Sequence, residues 1–190
     1  MKSIYFEKKG SENTQHTLDL ALEAAKEFNI NTIVVASTRG ESARAASRTF
    51  QDKVFCLIIV QHHDGFKDIG NEFSDQIKEE IVQQRPNTLF HIGSHALSGV
   101  ERSFRLSLNT MLPIEMLAIT LRRCFGDGTK VAMEMAIMVA DAGLVDPTNE
   151  IICIGGTGIG LDTAWVVKPS YSNKLFDLKM KFPICKPKNF

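Results

Sequence analysis

The chain has 190 residues, enough for one α/β domain over residues 1–190 that buries about 70% of its extended-chain surface. Its 22 basic and 22 acidic residues cancel, and no basic run interleaved with aromatics occurs, so neither nucleic acid nor an anionic membrane is an expected partner. The cysteines at 56, 124, 153 and 185 lack CxxC spacing and read as reduced core residues; with no basic-then-apolar leader and no bilayer-length apolar run, the expected setting is the cytoplasm.

In chain order, residues 4–6 read as a short strand, and 11–28 as a helix with Leu18, Leu22, Ala25 and Phe28 at helical spacing. Residues 32–36 and 54–60 are continuous apolar runs around an alanine-rich helix at 41–50, the pattern of parallel strands buried on both faces. After a polar loop, residues 61–73, Ser74 caps a helix that Pro86 ends, and 88–92 supply another strand. Three helical stretches follow, at 98–106, 113–125 with Pro113 in the first turn, and 129–142. The chain closes with a strand at 150–154, the loop GGTGIGLDTA, a strand at 164–167 and an expected edge strand at 178–185, cut off by Pro183 and Pro187. The expected fold is a three-layer α/β/α sandwich with a mostly parallel sheet and antiparallel strands near the C-terminus. The apolar helical block suits a homodimer.

Strand, small polar turn and helix in the run TIVVASTRGESARAASR build an anion site. The first N–H groups of the helix lack intrahelical partners and carry the positive end of its dipole, so a phosphate fits there. Ser37, Thr38 and Ser42 offer hydroxyls, Arg39 a charged donor, and Gly40 close backbone approach. The alternative is a Thr38/Glu41 capping box that binds nothing. Gly155, Gly156, Thr157, Gly158, Gly160, Asp162 and Thr163 form a second loop with spacing GxGxG followed by a strand. That excludes a dinucleotide fingerprint but leaves a nest for an anion or a flat ring.

Ligands of open parallel sheets collect beyond the carboxyl ends of the strands, where the loops starting at Ser37, Gln61, Gly93 and Gly155 emerge together. His62, Gly65 and Phe66 come from the second loop, and His95, Ser98 and Arg102 from the third. Adjacent His62 and His63 point to opposite sides of an extended chain, so no metal is expected. Ser98 and Glu101 read as a capping box that leaves Arg102 to meet an anion. Lys130, Glu134 and Asp141 share one stripe of a Met- and Ala-rich helix and read as its solvent edge. No Ser-His-Asp or Cys-His set is visible, so covalent catalysis has no support.

The run IVVASTRGESARAASRTF resembles the strand, turn and helix of the pyruvate kinase C-terminal α/β domain, whose turn holds the phosphate of a sugar-phosphate effector. YFEKKGSENTQHTL, HHDGF, SHALSGVERS, MEMAIMVADAG and GGTGIGLDTAWVVKPS extend the likeness to a family of small stand-alone pyruvate-kinase alpha/beta-domain-like proteins of archaea and bacteria. That resemblance implies FMN as cofactor and no assigned activity. The pyruvate kinase barrel is not in this sequence, so kinase activity is not implied. At residues 105–111, RLSLNTM stands where the family has a glycine-containing turn. The expected function is binding of FMN or a related small-molecule phosphate ligand, with a flavin-dependent oxidoreductase acting on a small molecule as the alternative. The phosphate goes to the turn 37–42 and the ring to the glycine loop with His62, Phe66 and His95, or the reverse.

Overall fold

The computed structural model describes residues 2–66 and 73–190. Part of the polar loop expected at 61–73, residues 67–72, lies outside them. Seven strands form one sheet: β1 (Ile4–Phe6), β2 (Thr32–Ala36), β3 (Cys56–His62), β4 (Leu89–Gly93), β5 (Ile151–Gly155), β6 (Thr163–Lys168) and β7 (Lys179–Pro187). Their spatial order is β1-β7-β6-β5-β2-β3-β4. Strands β2, β3, β4 and β5 run parallel, as do β1 and β7, while β6 is antiparallel to both its neighbours. The expected mostly parallel sheet with antiparallel pairing near the C-terminus is therefore present.

Alternation along β2 and β3 explains the three layers. Ile33, Val35, Leu57 and Ile59 face one core, closed by Leu18, Ala21 and Ala25 of α1 (Thr14–Glu27) and Ala43 and Ala46 of α2 (Glu41–Thr49). Ile81 of α3 (Asp75–Gln84) joins the same core. Val34, Ile58 and Val60 face the other core, closed by α5 (Pro113–Phe125) and α6 (Asp127–Asp141). Strands apolar on both faces need helices on both faces, which is why the runs at β2 and β3 lack a polar alternation.

Three expectations change. Strand β7 is interior, between β1 and β6. Pro183 is tolerated because the β6–β7 register shifts beside it, between Ala164 and Trp165 and again between Val166 and Val167, and a strand irregularity removes the demand for its missing N–H. Helix α4 spans Glu101–Leu108 rather than starting at Ser98, and Val100 at its N-cap offers no side-chain bond. The Glu101 carboxylate instead accepts from Ile114 and Glu115 N–H and caps α5. Where RLSLNTM lacks the family's glycine, Asn109 takes the left-handed conformation, φ 49°, that ends α4, and asparagine is among the few residues that tolerate it.

Of the four thiols, Cys153 and Cys185 are buried, Cys56 is half-buried and Cys124 is exposed, so the core reading fails for Cys124. Burial raises the Cys153 thiol and pushes that of Cys185 up to about 12, which keeps both protonated and unreactive. No described helix is long and apolar enough to cross a membrane.

Candidate functional site

The carboxyl ends of β2, β3, β4 and β5 lie on one edge of the sheet, and the chain leaving β1 reaches it too, because β1 is parallel to β7 and β7 is separated from β5 by one antiparallel strand. Beside β2, the chain goes to β3 on one side and to β5 on the other, so two loops part there and a crevice opens between them. A cavity of about 660 Å³ fills it. Ser37, Thr38, Arg39, Glu41, Ser42, His62, Phe66, His95, Gly156, Gly158 and Gly160 line its wall. Gly40, Gly65, Ser98, Arg102, Gly155, Thr157, Asp162 and Thr163 do not.

At the α2 turn, Gly40 has φ 105° and a β-carbon there would sit 2.6 Å from Ile77 Cγ2, so this position requires glycine on both counts. Gly40, not Thr38, is the N-cap, and the alternative to an anion site, a Thr38/Glu41 capping box, does not form. Ser37 Oγ does the capping, accepting from Gly40 N–H and Ala43 N–H at 3.2 Å each. Its own N–H donates to the Val60 carbonyl, which ties the turn to the end of β3. Ser37 therefore spends its hydroxyl internally. Among the described residues, the N–H groups of Arg39, Glu41 and Ser42 have no acceptor, and they open toward the cavity at the positive end of α2.

Gln61 is the residue the sequence reading passed over. It stands next to Val60 near the end of β3, 6% exposed and on the cavity wall, and its Nε2 has no hydrogen-bond partner among the described residues. A buried amide left without an acceptor costs about 1–3 kcal/mol. The signal available was the first polar residue after the apolar run 54–60, near the strand end where ligands collect.

The third loop meets the second through rings. Thr38 Oγ1 is 3.1 Å from His62 Nε2, and His62 Nδ1 is 2.7 Å from His95 Nε2, forming one continuous chain. Phe66 stacks on His62 at 4.2 Å between centroids and packs against His95 at 4.6 Å. Arg102 lies over the Phe66 ring, its guanidinium carbon 4.8 Å from the centroid, a cation–π contact, and it does not line the cavity. Ser98 donates its N–H to the His95 carbonyl and shapes the loop. Burial lowers the His95 pKa below its ordinary 6.5; Glu134 opposes this, while Lys130, His63 and Arg102 add to it.

The glycine loop is closed on itself. Asp162, fully buried, accepts from Gly10 N–H at 3.0 Å, Thr157 N–H at 3.2 Å and Thr163 Oγ at 2.8 Å. Leu161 N–H donates to Thr14 Oγ1. At Gly156 a β-carbon would lie 2.1 Å from the Gly160 carbonyl oxygen, so the loop doubles back too tightly for any side chain there. An internal carboxylate thus takes one main-chain donor of the loop, Thr157 N–H, together with the Thr163 hydroxyl.

Lys130 and Glu134 correct the sequence reading most sharply. They are buried, not on a solvent edge: Lys130 Nζ pairs with Glu134 Oε2 at 2.5 Å with Lys130 1% exposed. Glu134 Oε1 accepts from Leu97 N–H at 3.0 Å and so fastens α6 to the loop that carries His95. Burial lowers the Lys130 pKa, and Glu134 opposes that shift. Only Asp141 of the stripe is exposed, where it accepts from Ser172 N–H. An i,i+4 pair of opposite charge has the same spacing whether it faces solvent or is buried. Glu134 lines the cavity together with Ser11, Thr14, Arg122 and Asp127. Arg122 and Asp127 pair at 2.6 Å. Among the described residues, no group of three or more His, Cys, Asp or Glu is arranged to hold a metal ion.

The sequence model of the pyruvate kinase alpha/beta domain matches residues 15–167, from α1 to β6. The chain belongs to that family. Among solved structures, it is similar to Cryptosporidium parvum pyruvate kinase in complex with ADP, at 10% identity and a TM-score of 0.37 over 75% of this chain. The match spans 20% of that pyruvate kinase chain. The resemblance drawn from the α2 turn thus holds at the level of the family.

Proposed function

We propose that this domain binds a phosphorylated small molecule, best described by FMN, in the 660 Å³ cavity at the carboxyl edge of its sheet. Small-molecule sites range over about 300–1,000 Å³. The observation that carries the proposal is the set of donors converging on one wall: the unpartnered Arg39, Glu41 and Ser42 N–H groups beside the unpartnered, buried Gln61 amide. A dianionic phosphate supplies several acceptors there, with the α2 dipole and the Arg39 guanidinium favouring its charge.

Asp162 supports one orientation of the ligand. A phosphate at the glycine loop would meet a buried carboxylate that already holds the Gly10 and Thr157 donors, which supports phosphate at the turn 37–42 and the flavin ring toward Met135, Met138 and the His62 and His95 rings. These methionines line the same cavity and offer polarizable packing to a flat ring. The absorption spectrum of the purified protein, followed by titration with FMN, tests the proposal. Bound FMN is expected to give a flavin spectrum or quenched flavin fluorescence, with melting rising with the logarithm of ligand excess. Colourless protein whose melting and FMN fluorescence do not change would overturn it. A screen of sugar phosphates would then separate another phosphate ligand from a domain that binds none.

A further inference from the structure

The Thr38 hydroxyl sits at the mouth of the α2 turn, and its proton has two directions. Two neutral imidazoles carry one N–H each. If His62 Nδ1–H donates to His95 Nε2, then His62 Nε2 is bare and accepts the Thr38 proton, which points away from the cavity. If His95 Nε2–H donates to His62 Nδ1, then His62 Nε2–H donates to Thr38 Oγ1, and the Thr38 proton is released toward the cavity. Both arrangements satisfy the 2.7 Å and 3.1 Å contacts. His95 Nδ1 has no partner among the described residues. A solvent proton taken up at that atom makes His95 an imidazolium whose Nε2 can only donate, which enforces the second arrangement.

We propose that His95 is a positioning residue for an oxyanion at the α2 turn: acting through His62, it sets the direction of the Thr38 hydroxyl, and binding of a dianion is accompanied by net uptake of solvent protons on the histidine pair. The inference rests on the phosphate-binding reading above and adds the residues that orient one of its donors. The charged and titratable groups facing His95 are Glu134 and Lys130 from α6, Arg102 from α4, and His62 and His63 at the end of β3 and just beyond it. Without a ligand, burial disfavours the charged form of His95. A dianion beyond Thr38 tips the balance toward the charged form.

Sulfate is the probe for pH dependence, because it stays a dianion where phosphate esters change charge, and FMN is the probe for the site itself. Wild-type affinity for sulfate is expected to fall about tenfold as pH rises from about 5 to about 8. In His95→Gln, whose amide does not titrate, affinity is expected to be flat across that range. In Thr38→Val it is expected to be weak throughout. Calorimetry in buffers of different ionisation enthalpy is expected to show proton uptake for wild type and none for His95→Gln. A pH-independent wild type, an equal slope in His95→Gln, or full affinity in Thr38→Val would each overturn the relay while leaving FMN binding intact. Failure of both FMN and sulfate to bind would overturn the site and the relay together.

Discussion

The α2 turn and the glycine loop face each other across one crevice, and both read in sequence as anion nests, yet they are built in opposite ways. The α2 turn uses one hydroxyl, Ser37, to close two donors and leaves the N–H groups of Arg39, Glu41 and Ser42 open. The glycine loop has more glycine and more polar atoms, but a buried carboxylate, Asp162, stands inside it and holds Thr157 N–H and the Thr163 hydroxyl, and Thr14 clamps it to α1. Glycine content therefore measures how tightly a backbone can fold. Whether it meets a ligand depends on which acceptor reaches the donors first.

Removing the internal acceptor should give the largest effect. Asp162→Ala removes a fully buried acceptor from two part-buried N–H donors and is expected to cost about 2–6 kcal/mol, at about 1–3 kcal/mol per hydrogen bond lost to a charged group, read as a shift in the urea midpoint. A change of less than about 0.5 kcal/mol would mean that the glycine loop does not depend on its carboxylate. Next, Gly40→Val combines a left-handed φ with a clash against Ile77 and should lose about 1–3 kcal/mol from strain alone, with FMN affinity falling alongside.

Arg39→Ala separates binding from folding. Arg39 is exposed, so stability should stay within about 0.5 kcal/mol, while FMN affinity drops by about 1–3 kcal/mol for a lost charge-assisted hydrogen bond; unchanged affinity in a fluorescence titration moves the phosphate away from this turn. Gln61→Leu sharpens the same contrast in the reverse sense. Replacing a buried, unpartnered amide by an apolar side chain of similar size should leave thermal stability equal or higher and still weaken FMN by about 0.5–1.5 kcal/mol.

The smallest effect is expected from pH. Native His95 has its pKa lowered from 6.5 by burial, so below that value the unfolded chain binds more protons than the native one. Ligand-free stability should be unaffected by this group above about pH 6.5 and should decline as pH falls through 6.5 toward the lowered native value. His95→Gln should reduce the acid-side slope of the denaturation midpoint; an unaltered slope would remove His95 from the account.

Strong local signals made much of the fold legible. The bounds of β1, β2 and α5 follow directly from an apolar triplet, a β-branched run and a proline at a first helical turn. Long-range pairing was not legible. Ile4 pairs with Cys185 across nearly the whole chain, and this places β7 inside the sheet and brings the 7–11 segment to the cavity edge. The site was half legible for a similar reason. His62, His95 and Thr38 come from separate loops that sheet order brings together, whereas the burial of Lys130 and Glu134 depends on which face of α6 meets the sheet. Charge spacing alone does not encode that choice.

A crystal structure of the protein soaked with FMN tests the central claim most directly. The account predicts the phosphate within hydrogen-bond distance of the Glu41 and Ser42 N–H groups and the Gln61 amide, with Asp162 still holding the glycine loop. Phosphate density at residues 156–160, or none in the crevice, would contradict it.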